Sequence, residues 1–238
     1  MTPISRIPFR TAADLRKVTA WATGLAHGGV FILAMMLAAL PGLAAEEKTL
    51  IVLGDSLTSG YGLPRADGFV AQLQDRLTSA GLPVRVIGAS VAGETAGGLA
   101  DRLAWVLDGQ PQIDGAIVAT GANDMLRALP AEGLAPPLTS IMTTLTEREI
   151  PVLLAGMRAP DNYGAAYVRR FVGTYRAMAE QYDAVFYPFL LEGVAGVGPL
   201  NQTDGIHPNA QGIAEILERM EPSLTQLLSR MMADKPSA

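Results

Sequence analysis

From Thr49 onward, short apolar runs alternate with longer stretches in which apolar side chains recur every three or four positions. The short runs are Leu50–Leu53, Val84–Ile87, Ile113–Ala119, Pro151–Ala155 and Ala184–Tyr187. Their length and β-branched content predict five buried strands. Helical spacing occupies Phe69–Leu77, Thr95–Leu107, Leu134–Arg148 and Ala165–Tyr182, and a last helix is expected from Asn209 to about Met231. In the second of these, Leu99, Leu103, Trp105 and Leu107 fall at helical spacing, with Asp101 and Arg102 expected on the other side. Pro136 and Pro137 fall in the first turn of the third, where a missing N–H costs little. Short apolar strands separated by helices predict βαβ units and a parallel sheet covered on both faces, a three-layer α/β/α sandwich.

The first 44 residues do not follow this alternation. Arg6, Arg10, Arg16 and Lys17 precede the apolar run Val30–Leu40, which Pro41 and Gly42 end. Gly42-Leu-Ala44 has the small-x-small form of a cleavage site. The three regions together predict a secretory signal peptide over residues 1–44, cut after Ala44 or Ala45, leaving 45–238 as one domain. A membrane anchor is the competing reading, but a spanning helix needs about 20 apolar residues. The expected product is periplasmic or secreted, with no stable membrane anchor after cleavage.

Removing that leader sharpens the charge. The whole chain carries −5, and residues 1–44 hold four basic residues against Asp14, a net of +3. Subtracting it leaves −8 on the remainder. An acidic domain without a basic patch argues against a nucleic-acid partner. The chain has no cysteine. That excludes disulfides, a thiol nucleophile, cysteine-bound metal and a lipid-modified N-terminal cysteine.

Candidate chemistry clusters after the strands. Gly54-Asp-Ser-Leu-Thr-Ser-Gly60 follows the first strand and precedes a helix. That arrangement presents a side chain at the carboxyl edge of a sheet, and Ser56 sits at the turn. A helix cap is the other role for a serine there. A serine hydroxyl needs a base to be a nucleophile. His207 is one of two histidines, and the other, His27, lies in the leader. The base is therefore His207 almost by elimination. Asp204 stands three residues before it, within reach of Nδ1, although an Asx-turn before Gly205 would also use its carboxylate.

Four blocks in this order carry a resemblance: Gly54-Asp-Ser-Leu57, Ala89-Ser-Val-Ala-Gly-Glu-Thr95, Gly121-Ala-Asn-Asp124 and Asp204-Gly-Ile-His-Pro-Asn209. They are similar to the SGNH serine hydrolases, also called GDSL esterases. With Met157-Arg-Ala-Pro-Asp-Asn-Tyr-Gly164, they look closest to the bacterial periplasmic thioesterase/lysophospholipase/arylesterase branch. The resemblance implies a flavodoxin-like sheet with strand order 2-1-3-4-5. It implies an exported esterase acting on small acyl-ester or thioester substrates through an acyl-serine intermediate. Ser56, Asp204 and His207 would be the catalytic residues. The oxyanion donors would be the backbone N–H groups of Ser56 and Gly93 and the side-chain amide of Asn123. Glycine permits close approach of a main chain, and an asparagine amide donates without charge. No metal and no cofactor is expected, and Asp55 is read as a structural hydrogen-bond acceptor. Ala122 and Gly88 depart from the pattern, where glycine and asparagine are common, without removing a catalytic atom.

Leu57, Met125, Leu126, Leu129, Met157, Ala159 and Pro160 are candidates to line the substrate site. Being apolar or small, they suit an acyl chain or aryl group, and each would equally suit a core. Three rival functions start from the same residues. A carbohydrate O-deacetylase would share the fold. A flavodoxin-like FMN carrier would use Ser56-Leu-Thr-Ser-Gly60 as a phosphate loop but has no need of Asp204 and His207. A solute-binding protein would do no chemistry.

Overall fold

The computed structural model describes residues 46–110 and 112–233. The expected signal peptide over residues 1–44, with its cleavage site, lies outside the described residues. The five strands are β1 (Lys48–Gly54), β2 (Val84–Gly88), β3 (Gly115–Ala119), β4 (Val152–Ala155) and β5 (Val185–Tyr187). All pair in parallel in the order β2-β1-β3-β4-β5. This is the flavodoxin-like order that the resemblance implies. Leu50 to Leu53 are wholly buried, as a strand covered on both faces requires.

β3 begins two residues later than its apolar run. The Asp114 carboxylate takes the Thr49 N–H at 2.8 Å, so a side chain occupies the place of a ladder bond. Pro151, just before β4, has no N–H and bonds to β3 through its carbonyl, which accepts from Ala116.

The long helices are α2 (Phe69–Ser79), α3 (Ala96–Asp108), α5 (Ala135–Glu147), α6 (Ala165–Gln181) and α7 (Ala210–Met232). Two short ones, α1 (Ser56–Ser59) and α4 (Ala122–Leu126), occupy stretches whose composition reads as turn. α2 packs on β2 and against α7, which lies along β3, β4 and β5. α3 packs on α5, and α5 on α6. Right-handed crossovers from a strand order that reverses at β1 put these two groups on opposite faces. The reversal point is also where such sheets bind ligands, outside the strand carboxyl ends. Gly54 of β1 lies opposite Ala119 of β3, so the chain leaves both strands side by side at that edge. No helix among the described residues is long and apolar enough to cross a membrane.

Candidate active site

Ser56 owes its position to the residue before it. Asp55 caps α1, its Oδ1 accepting the Leu57 N–H at 3.0 Å. Ser56 is thus the first residue of the helix rather than its cap. α1 ends after one turn at Gly60, which adopts a left-handed conformation. A four-residue helix contributes little by itself, but its first residue carries the Ser56 hydroxyl.

His207 arrives from the far end of the chain on a narrow hairpin. Asn201 and Pro208 form an antiparallel bridge, Gln202 donates its N–H to the His207 carbonyl at 2.8 Å, and Asn209 donates to Leu200 at 3.0 Å. Asp204 sits near the tip. Its Oδ1 accepts the N–H groups of Ile206 at 2.9 Å and His207 at 3.0 Å, and its Oδ2 lies 2.6 Å from His207 Nδ1. The Asx-turn and the imidazole partnership are therefore made by one carboxylate. The His207 N–H, the imidazole and the Ile206 N–H hold its pKa down to about 2. His207 Nε2 lies 2.9 Å from Ser56 Oγ, joining residues 151 apart in sequence. The Tyr61 ring covers the imidazole with centroids 4.7 Å apart.

The loop after β2 forms the opposite wall. Its start is sewn to β1 by Ala89 N–H to Val52 O at 2.8 Å and Val91 N–H to Gly54 O at 3.0 Å. Gly93 has φ +79°, which a residue with a Cβ adopts only under strain. Two arginines brace this loop. Arg102 of α3 holds both carboxylate oxygens of Glu94 at 2.6 Å and the Ala89 carbonyl at 2.7 Å. Arg127, at the end of α4, donates to the Gly93 carbonyl at 2.6 Å. Among the described residues, the N–H groups of Ser56 and Gly93 have no acceptor.

Asn123 lies in the first turn of α4. Its Nδ2 donates to the Glu94 carbonyl at 3.0 Å and to Asp55 Oδ2 at 3.3 Å. The Glu94 carbonyl can only accept, so the nitrogen must face it. Asp55 is the structural acceptor the sequence suggests, taking the Leu57 and Asn123 donors. Burial raises its pKa to about 6 against those donors and the nearby His207, and Asp124 raises it further. Asp124 is also buried, accepting the Ala96 N–H at 2.9 Å. Among the described residues no cluster of three or more histidine, aspartate or glutamate side chains could hold a metal ion.

The substrate-lining candidates divide. Leu57, Met125, Met157 and Ala159 belong to the buried hydrophobic core. Leu126, Leu129 and Pro160 are exposed, Leu126 by 51%. The Tyr163 and Tyr167 hydroxyls tether the intervening loop through the carbonyls of Met125 and Leu129, at 3.0 and 3.1 Å. Arg102, Arg127, Tyr61 and Gln202 had no assigned role in the sequence, and Glu94 stood in a quoted block without one, since their partners are set by folding.

The GDSL-like Lipase/Acylhydrolase family matches residues 52–214, more than half of the chain and a span that holds every block quoted above. Esterase TesA of Pseudomonas aeruginosa is 39% identical over 185 residues, 77% of this chain and 91% of that protein. The Thioesterase 1/protease 1/lysophospholipase L1 of Escherichia coli K12 is 33% identical over 187 residues, 78% of this chain and 88% of that protein. A crystal structure of TesA is similar at a TM-score of 0.72 and 37% identity, covering 76% of this chain and 99% of that one.

Proposed function

The chain belongs to the GDSL-like lipase/acylhydrolase family, and from that premise we propose that it is an exported serine esterase. It cleaves carboxylic ester and thioester bonds of small substrates, including aryl esters, acyl-CoA and lysophospholipid-type esters, through an acyl-serine intermediate. The observation that carries the reading is the unbroken series Ser56 Oγ, His207 Nε2, His207 Nδ1 and Asp204 Oδ2, with separations of 2.9 and 2.6 Å.

In this reading Ser56 Oγ attacks the substrate carbonyl carbon as its proton passes to His207 Nε2. Asp204, ionised at any working pH, fixes the ring and stabilises the imidazolium. The developing oxyanion takes the free N–H groups of Ser56 and Gly93. Asn123 contributes a third donor by turning from Asp55, the longer of its two bonds. The intermediate collapses when His207 returns the proton to the leaving alcohol or thiol. Water then repeats the sequence on the acyl-serine, releasing the acid and restoring Ser56.

Export is part of the proposal and rests on the basic region, short apolar run and small-x-small motif of residues 1–44.

The deciding assay is a substrate panel of p-nitrophenyl esters from acetate to palmitate, acyl-CoA, lysophospholipid and acetylated sugars. Ser56→Ala should lower hydrolysis at least about 10³-fold without unfolding the protein. A phosphonate inhibitor should add to Ser56, as mapped by mass spectrometry. An adduct elsewhere, or activity confined to acetylated sugars, would replace this reading.

A further inference from the structure

The Asp204–His207 pair is local to one hairpin, three residues apart, and moves with it. Nothing in that pair sets where Nε2 lies relative to Ser56, which belongs to a different loop. α2 and α7 fix the neighbourhood: Gln72 Nε2 donates to the Ala210 carbonyl at 3.0 Å and an Arg76 nitrogen to Ala214 at 2.8 Å. Both grip α7 beyond the hairpin rather than the hairpin itself. Among the described residues, only two hydrogen bonds join the Ser56 loop to the hairpin. One is the His207–Ser56 bond itself. The other is made by Gln202.

Gln202 Nε2 donates to the Tyr61 carbonyl at 2.8 Å and to the Pro208 carbonyl at 3.0 Å. Both partners are acceptors only, so the amide has one chemically allowed orientation. The backbone N–H of the same residue holds the His207 carbonyl at 2.8 Å. Gln202 therefore grips two successive carbonyls of the strand that bears His207, those of residues 207 and 208, and clamps that strand to residue 61. The Tyr61 ring, set by the same backbone, lies against the imidazole. We propose that Gln202 is a positioning residue that holds the His207 hairpin in register with the Ser56 loop, so that Nε2 stays within proton-transfer reach of Oγ. The inference rests on the serine-esterase reading above.

Displacing a reacting group by about 1 Å can cost about 10²-fold in rate. Gln202→Met keeps the side chain's length and removes both donors. It should lower kcat for p-nitrophenyl acetate about 10- to 100-fold. KM should change by no more than about twofold, because a positioning residue acts on the rate through His207. The rate of phosphonate addition to Ser56 should fall by the same factor as kcat, since it uses the same serine–histidine pair. Gln202→Glu places a carboxylate against two carbonyl oxygens. Its activity relative to the parent, taken at each pH, should rise as pH falls, because a protonated carboxyl can donate one bond.

A Gln202→Met enzyme with kcat within twofold of the parent would overturn the proposal. So would a loss confined to KM, a Gln202→Glu ratio flat with pH, or failure of both variants to fold, which would make Gln202 a residue of the fold alone. Ser56→Ala in the same assays separates the two ideas. Retained hydrolysis there defeats the serine reading, whereas a dead Ser56→Ala beside a parent-like Gln202→Met defeats only the latch.

Discussion

Asp55 sits where an ionised carboxylate is least welcome, wholly buried, with Asp124 among its charged neighbours. Its pKa of about 6, against the ordinary 3.8, means that the native state holds the proton more tightly than the unfolded chain. The group's contribution to stability is then full below about pH 4 and is lost as pH rises through about 6. Keeping Asp55 ionised at pH 7 costs about 3 kcal/mol. Asp204 works in the opposite sense. Its depressed pKa contributes stability above about pH 4 that is lost as pH falls toward 2. Urea unfolding of the parent and Asp55→Asn at pH 4 and pH 7 separates the two. The stability of the parent relative to the variant should fall by up to about 3 kcal/mol over that interval. A constant difference would show that the donors from Leu57 and Asn123 cancel the burial. That a buried Asp55 is retained beside Ser56 follows from its two bonds, which cap α1 and orient the Asn123 amide.

The two shortest helices carry much of the site. α1 brings Ser56, and α4 brings Asn123 and Arg127. Neither has enough residues to show a helical period, so the composition reads as turn, and capping and tertiary contacts decide the outcome. α4 runs into the tethered loop of Leu126 and Leu129. Two tyrosine hydroxyls fix the carbonyls at its ends, while both leucine side chains remain exposed beside a proposed oxyanion donor. Truncating Leu126 or Leu129 to Ala should cost little stability, since neither is buried. It should weaken kcat/KM for p-nitrophenyl palmitate severalfold more than for acetate, at roughly 0.8 kcal/mol per CH₂ group no longer buried. Equal losses across chain lengths would remove these leucines from the acyl site. Leu57, Met125, Met157 and Ala159 are core residues, and changing them should act mainly on stability.

For the whole molecule, the proposed removal of residues 1–44 separates a basic leader from a domain of net charge −8. N-terminal sequencing of protein recovered from periplasm or medium should read Ala45 or Glu46 first. A chain retaining residues 1–44 in the membrane fraction would favour an anchor. The alternation of short apolar runs and helical spacing, by itself, determined the α/β class, the five strands and the five long helices, because backbone periodicity and burial on both sheet faces are written into neighbouring residues. It also determined the chemical candidates, since one histidine lies outside the leader and Ser56 stands at the turn between a strand and a helix. Strand order and the meeting of Ser56 with His207 were legible only through the resemblance. What only the tertiary structure decided is how that meeting is held. Gln202 finds Tyr61 across 141 residues, Arg127 reaches the Gly93 carbonyl across 34, and Asn123 faces Asp55 across 68. Such bonds depend on where separate loops leave a closed sheet, and no local periodicity or spacing encodes that geometry.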